Sequence, residues 1–409
     1  MKVRSVTCFV PLTYPLDKGD TAAMARFLHA ARRMLEDAGL EVQTVRLATP
    51  PFTEVLGDPA AAQVVDLAQA LEELCVEQGI DYISIGPLLA AQPDTLLAPI
   101  YRLPDMFAAS ERIFASVEVA AAGRGINLAA VRASAEIVPR IAQATPRGFG
   151  TLRFAALANC PPGSPFFPVA YHGGGPPTFA FATESADLPV TAFGQAATLE
   201  EARARLIDAL ETSAARLAAV ADRLVDDHNL HFSGIDFSLA TYPDQAISIG
   251  TAIERLGVDR FGVSGTLFAA AFIADCLRQA NYPHCGYSGL MFPVLEDSVL
   301  AARADEHLYT VDSLLLYSTV CGAGLDTVPL PGDVGVDELA GMILDVATLA
   351  VVLNKPLSAR LMPVPGLTAD QRTTFDFAYF ENARVLPIKR SGISRLLSGN
   401  QFVVLRGRT

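Results

Sequence analysis

The stretch from Tyr317 to Asp333 places a thiol, Cys321, two carboxylates, Asp326 and Asp333, and the glycines Gly322, Gly324 and Gly332 close together in the chain. Cys321 is a candidate nucleophile or redox thiol, because thiolates form where helix termini or cations lower their pKa. A buried small hydrophobe is its competing role. Asp326 and Asp333 are candidate acid/base groups or ligands for a divalent cation, and Glu296 of the pair Glu296-Asp297 is a further carboxylate of the same kind. Turn and helix-cap duty competes for all of them. His172, in Tyr171-His-Gly-Gly-Gly175, is a candidate proton shuttle. Asp236 joins the catalytic set, and Asn159, Ser238, Lys355 and Arg360 form the candidate substrate-binding set, the last two as a clamp for an anion.

Elements of alternating type must position these groups. Val3–Val10, Glu41–Ala48, Gly79–Gly86, Ile113–Val119, Arg153–Asn159, Thr178–Thr183, Phe232–Ala240 and Ala359–Val364 read as strands. Helical patterns lie between them, with Asn127 and Thr198-Leu-Glu-Glu201 as N-terminal signals. Cys160–Pro177 is rich in proline and glycine and reads as a long functional loop. Cys321–Asp333 also reads as a loop, and Phe375–Ile388 as a strand-rich end. Strands alternating with helices predict a parallel or mixed sheet covered by helices. Asp236 and Ser238 share one face of their strand, whereas a parallel strand covered on both sides is apolar on both, so that face is predicted to line a lumen.

Bulk composition narrows the function. Of 409 residues 51% are hydrophobic and only 18% charged, enough for a large core. The net charge of -13 excludes a phosphate-tracking surface. No apolar run reaches the roughly 20 residues that span a bilayer, and six cysteines without C-x-x-C spacing fit a reduced compartment, so a cytoplasmic protein is expected. Gly322-Ala-Gly324 lacks the third glycine of a dinucleotide fingerprint, and neither a P-loop nor H-E-x-x-H occurs.

Cys321-Gly-Ala-Gly-Leu-Asp326 leading to Pro331-Gly-Asp333 resembles the C-terminal signature of domain-of-unknown-function family 711. Phe261-Gly-Val-Ser-Gly265, Gly286-Tyr-Ser-Gly289, Pro293-Val-Leu-Glu296-Asp297, Asn354-Lys355, Ser358-Ala-Arg360, Tyr171-His172-Gly173 and Asp236-Phe-Ser238 resemble its other blocks, in its order. The resemblance implies a single domain over residues 1–409, a ten-stranded α/β barrel similar to those of pyruvate formate-lyase and ribonucleotide reductase, and a homodimer. It also raises radical chemistry at Cys321. Arg390-Ser-Gly392-Ile393 departs from the Arg-Val-x-Gly-[Tyr/Phe] stretch of glycyl-radical enzymes, so that chemistry does not carry over. The expectation is an enzyme, a lyase, transferase or hydrolase, acting on a small anionic or carbonyl metabolite by carboxylate acid/base or metal-assisted chemistry. The alternative is a non-catalytic regulatory protein that binds such a metabolite. No partner beyond a small molecule and a second copy is expected, with neither nucleic acid nor membrane involved.

Overall fold

The computed structural model describes residues 1–406, the side chains of Lys18 and Asp20 excepted. Strands form where the apolar runs lie: β1 (Lys2–Phe9), β2 (Val42–Ala48), β3 (Tyr82–Leu88), β4 (Ile113–Ala121), β5 (Gly125–Asn127) and β6 (Phe154–Ala158). Then come β7 (Thr178–Glu184), β8 (His231–Ala240), β9 (Gly324–Pro331), β10 (Leu357–Val364) and β11 (Phe402–Val403). They make one sheet in the order β8-β7-β1-β2-β3-β4-β6-β10-β9, with β5 against β4 and β11 against β5. β1, β2, β3, β4 and β6 run parallel, and so do the pairs β7–β8 and β9–β10, while the joints β1–β7 and β6–β10 are antiparallel. The sheet therefore consists of a central parallel block flanked by strands of the opposite sense.

The outer strands β8 and β9 are not joined by any regular strand among the described residues. The irregular stretch 283–294 touches both: Ile235 forms a parallel bridge with His284, and Pro293 one with Asp326. The fold is thus mixed α/β around a large sheet, without a continuous ladder closing it.

The helices cover one face of the sheet. The helix Leu199–His228 begins where Thr198 Oγ1 accepts from Glu201 N at 3.1 Å, and it buries Leu206, Leu210, Leu217 and Leu224 completely. Each such leucine contributes about 1.5–3 kcal/mol of apolar burial. The other face is mixed in polarity. Phe9, Ala48, Phe114 and Ala180 form a small apolar cluster there with Phe167 and Ala170, which come from the long loop 160–177. Ser84 Oγ donates to Ala170 O (2.6 Å) and His172 N to Thr49 O (2.9 Å), so the loop is anchored against the strands.

Two expectations are corrected. Gly324–Pro331, read from sequence as loop, is strand β9; Pro329 and Pro331 lack the N–H that an interior strand needs, but β9 ends the ladder, where prolines are tolerated. Phe375–Ile388 carries no strand; the only bridge described near it is Arg372 with Arg384.

The glycines of the 322–324 stretch serve close packing. A Cβ on Gly322 would lie 2.7 Å from the Cα of Gly289, and one on Gly324, where φ is +94°, would collide with the carbonyl of Ser358 on β10. Gly324→Ala is expected to lower the unfolding free energy by about 2 kcal/mol or more, combining overpacking with backbone strain. Chemical denaturation reads this, and a loss below about 0.5 kcal/mol, the scale of a neutral surface change, would contradict the close apposition of β9 and β10.

Candidate active site

The adjacent acids Glu296 and Asp297 take different roles. Asp297 is the N-cap of the helix Ser298–Asp305, accepting from Val299 N and Leu300 N (both 3.0 Å), Ser248 Oγ and Ile249 N (both 2.7 Å). Glu296, one residue earlier, turns inward and is 3% exposed. There it meets Arg4 of β1, which bonds Oε2, and Arg360 of β10, whose Nη2 is 3.1 Å from Oε1. Arg360 also holds Asp326 of β9, with Nε 2.6 Å and Nη2 2.5 Å from Oδ1.

Strand irregularities aim these side chains. In the β1–β7 register Val3 faces Thr183 and Ser5 faces Ala182, so Arg4 is the extra residue of a bulge. Opposite Arg360, β9 supplies two residues, Asp326 and Thr327. Thr327 has φ of +41°, an outlier for a β-branched residue, and its buried Oγ1 has no partner among the described residues.

The two carboxylates on Arg360 are driven apart. Burial pushes Glu296 up, but the charges of Arg4 and Arg360 more than offset it and hold the group below the ordinary carboxylate range. Burial raises Asp326, Arg360 only partly offsets this, and the nearby Glu296 anion adds to the rise. Asp326 Oδ2 is buried without a partner among the described residues.

Arg4, Arg360 and Glu296 open onto a cavity of about 110 Å³. Two further arginines line it. Arg46 of β2 has its guanidinium 5.0 Å from the Phe167 ring centroid and 5.6 Å from that of Tyr82, and its Nε donates to Thr44 Oγ1 at 2.8 Å. No carboxylate pairs with it among the described residues; burial, and then the like charge of Arg4, push its pKa down to about 10. Burial likewise lowers Arg153 to about 10, and its guanidinium is held by the carbonyls of Phe107 (2.9 Å) and Ile113 (3.3 Å). Phe377 and Tyr379 of the irregular 373–386 segment also line the cavity, and Phe377 packs on Phe149 with centroids 5.1 Å apart. Backbone bonds from Glu381 to Leu295 O (2.7 Å) and Leu386 to Pro329 O (2.9 Å) hold that segment in place.

Of the residues singled out in the sequence, Glu296, Asp326 and Arg360 come together. Asp236 and Ser238 bond each other elsewhere on the inner face, and Asp236 accepts from Tyr287 N and Ser288 N, both at 3.0 Å. Burial raises Asp236 to about 6, and Gly286 is required there because a Cβ would strike its carboxylate. Asn159 fastens two backbones, accepting from Ala122 N and donating to Ala350 O at 2.7 Å. His172 is buried and does not line the cavity; its Nε2 lies 3.2 Å from Gly175 O, and burial lowers its pKa. Lys355 caps the end of the helix Val311–Tyr317 by donating to Ser318 O (3.0 Å) and Cys321 O, and both Cys321 and Lys355 line a separate surface groove of about 390 Å³. Asp333 is exposed and paired with Arg390 at 2.6 Å. Asp326 and Asp333 are thus apart, and among the described residues no three His, Cys, Asp or Glu side chains converge in a way that could hold a metal ion.

The sequence reading missed Arg4, Arg46 and Arg153. The available signal was a charge inside an apolar strand run, as in Val3-Arg4-Ser-Val6 and Val45-Arg46-Leu47, since arginine is almost never buried without a purpose.

The family model described as uncharacterised ACR (DUF711) matches residues 1–380. The chain belongs to that family. A UPF0210 protein of Pyrobaculum arsenaticum is 32% identical over 391 residues, covering 90% of this chain and 86% of the relative. One from Methanopyrus kandleri is 31% identical over 346 residues (81% and 76%), and one from Neisseria meningitidis serogroup C 27% over 394 residues (90% and 83%). Every residue lining the cavity lies within the part matched by the DUF711 model.

Breaking a buried ion pair by removing one partner costs about 3–5 kcal/mol, so Glu296→Gln is expected to destabilise the protein by that amount at pH 7. Because the folded-state pKa of Glu296 lies below its unfolded value, its contribution is present above pH 4.5 and is lost as pH falls through the folded value. Wild type and variant should therefore converge in denaturation experiments at acid pH; a gap that stays constant with pH would contradict an ionised Glu296.

Proposed function

We propose that this protein acts on a small anionic or carbonyl-bearing metabolite bound in the cavity between Arg46 and Glu296. The observation that carries the reading is Arg46: a partly buried guanidinium that faces a cavity without a carboxylate partner among the described residues. Burial of an unpaired charge is costly, and an incoming anion removes the cost. In an acidic chain, four arginines and two glutamates around one cavity make a local positive field. The inward-facing polar side chains and the stretch 283–294 lying between β8 and β9 support a barrel of ten staves, the tenth irregular.

In the enzymatic form of the reading, Glu296 and Asp326 are the proton-handling pair, since groups pushed to opposite pKa directions divide into base and acid. Arg360 orients both. The non-catalytic form is favoured by one observation: both Glu296 oxygens already accept from guanidiniums, which weakens the carboxylate as a base. Incubating the protein with a stabilising metabolite and recovering it by NMR separates the two, conversion meaning catalysis and unchanged recovery meaning binding alone.

Arg46→Gln is expected to leave the ligand-free melting temperature equal or slightly higher, because the variant relieves repulsion from Arg4. It should also abolish the shift produced by anionic metabolites, which is about 2.7 kcal/mol of stabilisation at a hundredfold excess over Kd. Full retention of the ligand shift in this variant would remove Arg46 from the site.

A further inference from the structure

Resting on the small-anion reading of this cavity, its walls narrow the ligand class. Seven of its eighteen lining residues are aromatic, although phenylalanine and tyrosine with no tryptophan make up only 8% of the chain. Three of those rings are contiguous beside the free guanidinium. Phe114 stands edge-on to Tyr82 (5.3 Å between centroids, 74°) and to Phe167 (5.3 Å, 65°), and Arg46 lies over both of those neighbours.

The anion-binding chemistry is equally restricted. No glycine lines the cavity among the described residues, so there is no Gly-rich loop of backbone amides of the kind that cradles phosphate. Of the four arginines that line the space, Arg4 and Arg360 are held by Glu296 and Asp326 and Arg153 by backbone carbonyls, which leaves the planar fork of Arg46, whose Nε is already committed to Thr44 Oγ1. Its two Nη groups remain, and that edge matches a carboxylate bidentately. Because the Tyr82 and Phe167 rings flank the guanidinium, its plane is set before the ligand arrives.

We infer that the ligand is an aromatic carboxylate, with its carboxylate on the Nη edge of Arg46 and its ring against Phe114 and the neighbouring aromatic wall. An edge-to-face or offset ring pair multiplies affinity about two- to tenfold beyond simple burial. An aryl acid gaining two such contacts therefore binds about four- to a hundredfold more tightly than an aliphatic acid of similar charge, before its larger buried apolar area is counted.

The test is calorimetric titration of the full chain with benzoate and 4-hydroxybenzoate against acetate, succinate and inorganic phosphate at one ionic strength. The expected result is a Kd for at least one benzoate at least tenfold below those of the other three anions. Arg46→Gln and Arg46→Lys should each weaken benzoate tenfold or more, and Phe114→Leu should weaken benzoate several-fold while leaving succinate unchanged. Succinate, acetate or phosphate binding as tightly as the benzoates would overturn the aromatic class while leaving the small-anion reading intact. Failure of all five anions to bind would overturn both. Benzoate binding that survives both Arg46 substitutions would overturn the placement. If Phe114→Leu does not fold, the ranking of anions on the wild-type chain still decides.

Discussion

Glu296 is an anion held where water hardly reaches, and it stays ionised only because Arg4 and Arg360 arrive from different parts of the sheet. Arg4 comes from β1 in the central parallel block, and Arg360 from β10, which runs the other way. The carboxylate itself comes from the chain just after the stretch that touches β8 and β9. One buried charge thus ties three regions distant in sequence, and a bulge at Arg4 and the two-for-one pairing opposite Arg360 bring the side chains to it. Satisfying Glu296 uses Arg4, and Arg46 lines the cavity with no carboxylate partner among the described residues.

The inner face of the sheet is consistent with this arrangement. Thr44 and Arg46 on β2, Ser116 and Glu118 on β4, and Ser358 and Arg360 on β10 occur at alternate positions, while the intervening residues pack toward the helices. Buried polar groups require partners, and much of this requirement is met by backbone that would otherwise be loop. The segment 285–288 provides amides for Asp236, and the 160–177 loop provides the Ala170 carbonyl for Ser84. Glu118 keeps an unpartnered oxygen among the described residues, and burial raises its carboxyl to about 7. The irregular segments are therefore part of the interior and account for why so many of the residues noticed in the sequence hold backbone in place.

What could be read from the sequence followed periodicity. Both N-terminal helix signals act as caps, Asn127 accepting from Ala130 N at 3.2 Å and Thr198 Oγ1 from Glu201 N at 3.1 Å. Strand β9 was hidden because two prolines argue against a strand unless its place in the ladder is known. The family followed from motif blocks in order along the chain, whereas the arrangement of the site depends on which strands neighbour one another, a property that no local pattern encodes. Glu296, Asp326 and Arg360 were recognisable as charges in an apolar chain. Asp333 carried the same signal, yet it is a surface partner of Arg390, since residue type and loop context do not distinguish an inward from an outward turn. Arg4 and Arg46 escaped notice because a charge within an apolar strand run shows what it faces only once the neighbouring strands are in place.

The central claim is that Arg46 receives a carboxylate inside the sheet while Glu296 remains bound by Arg4 and Arg360. A crystal structure of the wild-type chain grown with benzoate tests it most directly. The account requires carboxylate oxygens about 2.7–2.9 Å from the Nη atoms of Arg46, with the Glu296 contacts unchanged. A carboxylate bound elsewhere with the cavity filled by solvent, or Arg46 turned out of the cavity to pair with a surface acid, would contradict it.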